Sequence, residues 1–219
     1  MHRVVIVDLG TGNLRSVSKA VSAVSPKSEV SVSADPAAIS GADRLILPGQ
    51  GAIGTWLNQF RQGPELEEAV MRGLRDKPVL GICLGLQALY RHSSESGGQP
   101  GFDLLAGRVR HFSEAESDFG GVRAQSGGKI PHMGWNRVRH CKEHPLWQDI
   151  PDGERFYFVH SYYVHSEDPE QVAGETEYGI RFTSAAMRNN LFAVQFHPEK
   201  SQYAGLTLIK NFINWNGDC

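Results

Sequence analysis

The sequence predicts an α/β domain: a mostly parallel central sheet, helices on both faces and an antiparallel extension. Three observations predict it. Short apolar runs such as Val4–Val7 and Leu45–Leu47 alternate with helix-like stretches in the first half of the chain. The apolar run Pro78–Ile82 leads into Gly81-Ile82-Cys83-Leu84-Gly85, the spacing of a sharp strand-to-helix turn. Beyond residue 100 the pattern changes to closely spaced strand-like pieces, as in hairpins. At 219 residues the chain reads as one domain, 1–219, with a sizeable core.

The elements follow in order. Val4–Val7 is a continuous apolar run, as expected of a parallel strand covered on both faces. Asp8 to Asn13 is a glycine-rich turn at its carboxyl end. It lacks the third glycine of a dinucleotide fingerprint, and no P-loop lysine follows, so it reads as a tight βα loop. Its position still matters, because ligands and partners meet open α/β sheets at the carboxyl ends of strands. Asn13–Ala23 is a helix, with Leu14, Val17, Val21 and Val24 at helical spacing and Ser25-Pro26 ending it. Glu29–Ser33 alternates as a strand and Pro36–Ser40 is a short helix. Asp43–Leu47 is a third strand, running into the glycine-rich loop Pro48–Gly54. That loop is either a tight turn or a set of backbone N–H groups exposed to a substrate oxygen. Residues 64–75 form a helix with Pro64 at N1 and Glu65, Glu67 and Glu68 in its first turn. The Cys83 strand and a helix Leu84–His92 come next. Gly107–Phe112 is a strand, and the polar 113–128 stretch reads as a mobile surface loop. Strands are then expected at Trp135–Arg139, Arg155–Val159, Tyr162–His165, Val172–Thr176, Arg181–Met187 and Leu191–Phe196. An amphipathic helix Ser201–Asn216 closes the chain, with Leu206, Ile209, Phe212 and Ile213 on one face.

Composition narrows the function. Net charge is −2, from 22 basic and 24 acidic residues, which gives no footprint for nucleic acid. No apolar stretch is long enough to span a membrane, and the N-terminal run is too short for a signal peptide. Three cysteines, Cys83, Cys141 and Cys219, form no disulfide framework, which fits a reducing cytoplasm. There is no CxxC, and neither a metal nor a cofactor is expected.

The chemistry gathers on Cys83. Glycines on both sides let the backbone turn tightly, and the helix that follows aims free N–H groups and its positive dipole end at the sulfur, favouring thiolate. A cysteine nucleophile needs a base, and the base needs an orienting group. Among nine histidines, His197 stands out: the apolar run Leu191–Phe196 ends in His197-Pro198-Glu199, which lets Glu199 hold the imidazole. On spacing alone, a His and Glu that merely end an exposed strand is an equally serious reading. His92, His111, His140, His144 and His165 have no such context.

These motifs carry a resemblance. Gly81–Gln87 together with Gln195-Phe196-His197-Pro198-Glu199 resembles the class I glutamine amidotransferases, whose fold is flavodoxin-like. Pro131–Asn136, Phe156–Tyr162 and Lys200-Ser201 are similar to the blocks found in glutaminase subunits of imidazole glycerol phosphate synthase. The resemblance spans nearly the whole chain. It implies glutamine hydrolysis through a thioester on Cys83, with His197 as base and Glu199 orienting it. It implies an oxyanion hole from Leu84 and the Gln50-Gly51 segment, and substrate contacts at Gln87, Glu95, His160, Ser161 and Tyr162. It further implies a (β/α)8-barrel cyclase partner that receives the ammonia, facing Asn13, Trp135, Asn136, Tyr162 and Lys200. For these, ordinary packing or solvation is the competing reading, and Trp135 could be core. Two departures stand out: Gln50 replaces a small apolar residue, and 113–128 is longer than usual. A paralogous glutaminase serving another synthase, such as one aminating a surface sugar, remains open, as does a catalytically silent regulatory module. A cysteine peptidase of similar fold is a remote further option.

Overall fold

The structure is a computed structural model, and it describes residues 2–117 and 129–218. In chain order the elements are β1 (Arg3–Val7), α1 (Leu14–Val24), β2 (Glu29–Ser33), α2 (Pro36–Gly41), β3 (Arg44–Gly49), α3 (Ile53–Arg61), α4 (Pro64–Asp76), β4 (Val79–Cys83), α5 (Leu84–Gln87), β5 (Tyr90–Ser93), β6 (Gln99–Pro100), β7 (Leu105–His111), β8 (His132–Arg137), β9 (Arg139–His140), β10 (Arg155–His160), β11 (Tyr162–Ser166), β12 (Val172–Glu177), β13 (Arg181–Arg188), β14 (Leu191–Val194) and α6 (Gln202–Asn214).

The main sheet runs β2-β1-β3-β4-β14-β13-β11-β7-β5-β6. From β2 to β14 every pairing is parallel, and from β14 to β7 every pairing is antiparallel. β12 and β9 extend the antiparallel side off β13, and β8 with β10 forms a separate two-stranded ribbon. Alternate residues of the central strands feed two cores. Val4, Ile6, Ile46, Leu80, Ile82, Phe192 and Val194 pack against Val17 and Val21 of α1 and Leu208, Ile209 and Phe212 of α6. Val5, Val7, Leu45, Leu47, Val79 and Ala193 pack against Trp56 and Phe60 of α3 and Val70 and Leu74 of α4. Burial of each such Val, Leu, Ile or Phe side chain contributes about 1.5–3 kcal/mol.

The helix read over Leu84–His92 is a single turn, α5. The carbonyls that would continue it are taken elsewhere: Phe102 N–H donates to the Ala88 carbonyl at 2.7 Å, and Leu105 N–H to the Leu89 carbonyl at 2.9 Å. Sheet pairing therefore overrides the local helical pattern, and Tyr90–Ser93 becomes a strand. Conversely, α3 begins within the glycine-rich loop expected at Pro48–Gly54 and continues through a stretch for which no element is expected. Its apolar stripe Ile53, Trp56, Leu57 and Phe60 is fully buried. The run expected at Leu191–Phe196 ends as a strand at Val194. Most of the loop expected at 113–128 lies outside the described residues. Its beginning, through Ser117, is a short 3-10 turn that packs Ala115 into the core.

What positions the site is the order of the parallel strands. β4 lies between β3 and β14, with Gly49 opposite Cys83 and Val194 opposite Ile82. The loops that leave β3, β4 and β14 therefore meet at one point, at the carboxyl ends of adjacent strands.

Candidate active site

Cys83 ends β4 with φ 56° and ψ −105°, a backbone state that residues with a side chain rarely hold. The surrounding packing enforces it. A Cβ on Gly85 would lie 1.9 Å from the Leu47 carbonyl oxygen, and one on Gly81 would lie 2.9 Å from both Ala193 Cβ and the Gly85 carbonyl oxygen. The two glycines thus let the turn sit directly on β3 and β14. Because α5 is one turn long, it has little macrodipole, and the expected dipole effect on the sulfur does not hold. What survives is local: N–H groups of the first helical turn lack intrahelical acceptors.

His197 follows β14 and is buried. Its Nδ1 bonds Glu199 Oε1 at 2.9 Å, and both side chains are all but sealed from solvent. A 3-10 turn, Pro198–Lys200, brings the two onto one side. Ser201 fixes that turn: its hydroxyl donates to the His197 carbonyl at 2.6 Å and accepts from Tyr157 N–H at 3.0 Å. His197 Nε2 is buried and faces Cys83. Burial alone would lower the imidazole pKa. Hydrogen bonding and negative charge on Cys83 and Glu199 outweigh it and push the value up to about 9.

Around the sulfur opens a cavity of about 460 Å³. Gln50, Gly51, Leu84, Gln87, Glu95, His160, Ser161, Tyr162 and Lys200 line it together with Cys83 and His197. A larger depression of about 560 Å³ lies along β11, β12 and β13, and Cys83 is not among the described residues that line it. In the cavity Gly51 has φ +90°, with open space where a side chain would be. Glu95 Oε2 accepts from Ile53 N–H at 3.1 Å, closing the amino end of α3, whose N-cap has no side-chain bond of its own. Burial raises the Glu95 pKa against that bond. Lys200 Nζ sits 5.9 Å above the Tyr157 ring.

Other expected residues are engaged within the chain. Asn13 caps α1, its side chain accepting from Ser16 N–H at 3.3 Å. Trp135 is not core: it is 43% exposed and meets the Tyr157 ring edge-on at 6.0 Å. Asn136 donates to the Glu177 carbonyl at 2.9 Å and bonds His132 Nε2 at 3.2 Å. His160 has both ring nitrogens occupied, Nδ1 on the Tyr162 carbonyl at 2.7 Å and Nε2 on His132 Nδ1 at 2.9 Å. Its imidazole is therefore unavailable to a ligand, and what it offers the cavity is backbone.

Two buried groups escape the sequence reading. Gln195 is fully buried, and its Nε2 donates to Cys83 Sγ at 3.6 Å. The signal was a polar residue inside the otherwise apolar Leu191–Phe196 run. His132 pairs across the ribbon with His160, a partnership that strand-by-strand reading cannot reveal.

Burial holds His132 and His144 neutral, their pKa values pushed down to about 4, and His160 to about 3. Unfolded histidines titrate near 6.5, so the unfolded chain takes up these protons first. Stability is expected to be unaffected by this group above pH 6.5 and to fall as pH drops from 6.5 towards 4. His197 has the opposite sign: its contribution is present below pH 6.5 and is lost as pH rises through about 9. Thermal unfolding across pH 4.5–7.5 checks the acid limb, and His132→Gln should flatten it.

The model of the class-I glutamine amidotransferase family matches residues 5–215. An imidazole glycerol phosphate synthase subunit HisH from Aromatoleum aromaticum is 49% identical over 98% of this chain and 99% of its own length. The HisH subunit of Nitrosomonas europaea is 48% identical over 98% and 99%. The chain belongs to the class-I glutamine amidotransferases, in the HisH family. Solved structures agree on the family fold. One described as a glutamine amidotransferase superposes with a TM-score of 0.69 at 16% identity, covering 96% of this chain and 97% of that one. PurLQS from Thermotoga maritima does so with a TM-score of 0.68 at 17% identity, covering 98% and 99%. At such identities these two speak for the amidotransferase fold alone. Among the described residues, no helix is long and apolar enough to cross a membrane.

Proposed function

We propose that this chain is the glutaminase subunit of an imidazole glycerol phosphate synthase, hydrolysing L-glutamine at Cys83 and delivering the ammonia to a cyclase for histidine biosynthesis. One observation carries the assignment of the site: Cys83 in its strained turn, buried beside a His197 that Glu199 holds at 2.9 Å, at the floor of a cavity sized for an amino acid. The HisH relatives support the pathway and do not favour a paralogue serving another synthase.

In this reading the Cys83 sulfur attacks the side-chain amide carbon of glutamine. The N–H of Leu84 and one from Gln50-Gly51 hold the oxyanion. His197, charged in the ion pair, gives its proton to the departing nitrogen, which leaves as ammonia. The glutamyl thioester remains. Neutral His197 then takes a proton from water, hydroxide displaces the sulfur, and glutamate leaves with Cys83 and His197 restored. Glu95 would receive the substrate ammonium, and the backbone of His160-Ser161-Tyr162 its carboxylate. Gln87 would contact its side chain. No metal or cofactor takes part in these steps.

The proposed partner is a (β/α)8-barrel cyclase. The outward face of the β8–β10 ribbon supports it: Met133 is 62% exposed and Trp135 43%, side by side on one strand face. Lys200 lines the cavity, and Asn13 follows Gly12, which packs against the Gly49-Gln50 backbone. Glutaminase activity should be low in the isolated subunit and rise with the cyclase and its nucleotide ligand. The same low rate with both present would count against the assignment. Glu199→Gln is expected to reduce kcat on the order of 10³-fold, because the imidazole loses its orienting charge. Steady-state glutamine kinetics of the complex measure this.

A further inference from the structure

The buried amide of Gln195 is held in one orientation, set by the Tyr162 carbonyl, which can only accept. It receives Gln87 Nε2 at 3.2 Å, so the Gln87 amino group must face it. That same amino group lies 3.0 Å from Gln195 Oε1, so the oxygen of Gln195 must face Gln87. The Gln195 amino group is then turned the other way, onto Cys83 Sγ at 3.6 Å. A flipped Gln195 would place two amino groups together and its oxygen against the sulfur, and the fixed carbonyl forbids it.

The same carbonyl is anchored from the other side. It accepts from His160 Nδ1, which leaves His160 Nε2 to accept from His132 Nδ1, and His132 Nε2 to accept from Asn136. Asn136 is oriented in turn, since its oxygen accepts from Arg137 N–H at 2.8 Å. Two directional chains thus meet at Tyr162, and one of them ends on the nucleophile.

We propose that Gln195 is a catalytic hydrogen-bond donor to the Cys83 sulfur, stabilising the thiolate that attacks and that leaves again when the thioester is hydrolysed. The inference rests on the glutaminase reading of this site. Gln195 is fully buried, so its amide is held against the sulfur by packing on the side away from the cavity. A hydrogen bond to a charged acceptor is among the stronger ones available in such surroundings. In the thiolate state the sulfur would have Gln195 and protonated His197 as its two donors, and loss of either raises the energy of the anion.

The test uses the complex with its cyclase and two substitutions. Gln195→Leu removes the donor. Gln195→Glu keeps the shape and an acceptor for Gln87, but turns an oxygen towards the sulfur. Alkylation of Cys83 by iodoacetamide is followed against pH, alongside kcat for glutamine. In both variants the pH midpoint of alkylation should move up by about one unit, a tenfold loss of thiolate at a given pH, and kcat should fall about tenfold or more. Gln195→Glu should be at least as impaired as Gln195→Leu, whereas a packing role would leave the isosteric Glu close to wild type. If one variant fails to fold, as judged by thermal unfolding, the other carries the test. Midpoints unchanged from wild type, or a Gln195→Glu enzyme with normal kcat and midpoint, overturn the proposal. Glutamine hydrolysis that persists in Cys83→Ala would instead overturn the underlying reading, and that outcome is separate from any behaviour of Gln195.

Discussion

Replacing Cys83 with alanine is expected to abolish glutamine-dependent synthesis by the complex while sparing synthesis from added ammonia. The sulfur is the atom that would form the thioester, and among the described residues that line the cavity Cys83 is the cysteine. Removing a nucleophile leaves only what binding and the oxyanion donors provide, a loss on the order of 10⁵-fold or more. The cyclase reaction needs ammonia but not the thiol, so free ammonium at high concentration should bypass the defect. Parallel assays with glutamine and with ammonium salts measure both arms. Equal loss in both would mean that Cys83 also holds the two subunits in working register, and the purely glutaminase role would be wrong.

A large effect on stability is expected at Gly85. An added methyl would stand 1.9 Å from the Leu47 carbonyl oxygen and 3.0 Å from its carbon. Both are backbone atoms of a central strand, paired on either side with β1 and β4. No rotamer change can relieve that contact, so either β3 or the nucleophile turn must shift. Gly85→Ala should cost about 3 kcal/mol or more, towards the upper end for overpacking. Urea unfolding of the subunit measures it. Gly51→Ala makes a useful contrast. That position has open space around it and only its positive φ to resist the change, so the loss should be smaller, about 1 kcal/mol.

The residues differ in how much they disclose on their own. The parallel half of the sheet was legible because its strands are short, wholly apolar and separated by helices with a clear 3.6-residue stripe. α3 carried that stripe too, at Ile53, Trp56, Leu57 and Phe60, but the glycines at 49, 51 and 54 obscured it. Two of those glycines have nothing to do with breaking a helix: Gly49 admits Leu84 and Trp56, and Gly54 admits Ser96. The helix expected after Cys83 failed for a different reason. Leu84–His92 is helical by local pattern, yet the partners that capture its carbonyls are residues 102 and 105, which local pattern cannot weigh. The ring of His160 is closed off by His132, the residue directly opposite on the neighbouring strand, which leaves its backbone to the cavity.

Two motifs plain in the residues alone carry the candidate chemistry: a cysteine between two glycines and a histidine two residues from a glutamate. Those spacings are local, and the turn and the imidazole–carboxylate contact they encode close over a few bonds. The meeting of the two motifs in one place depends on the sheet order. β4 and β14 are neighbours in the sheet though far apart in the chain, and the choice of neighbour depends on packing two cores at once. The same packing fixes the orientation of Gln195, turns Asn136 inward and leaves Trp135 facing out. Buried polar groups must find partners wherever the fold brings them, and those partners are read from space, not from order along the chain.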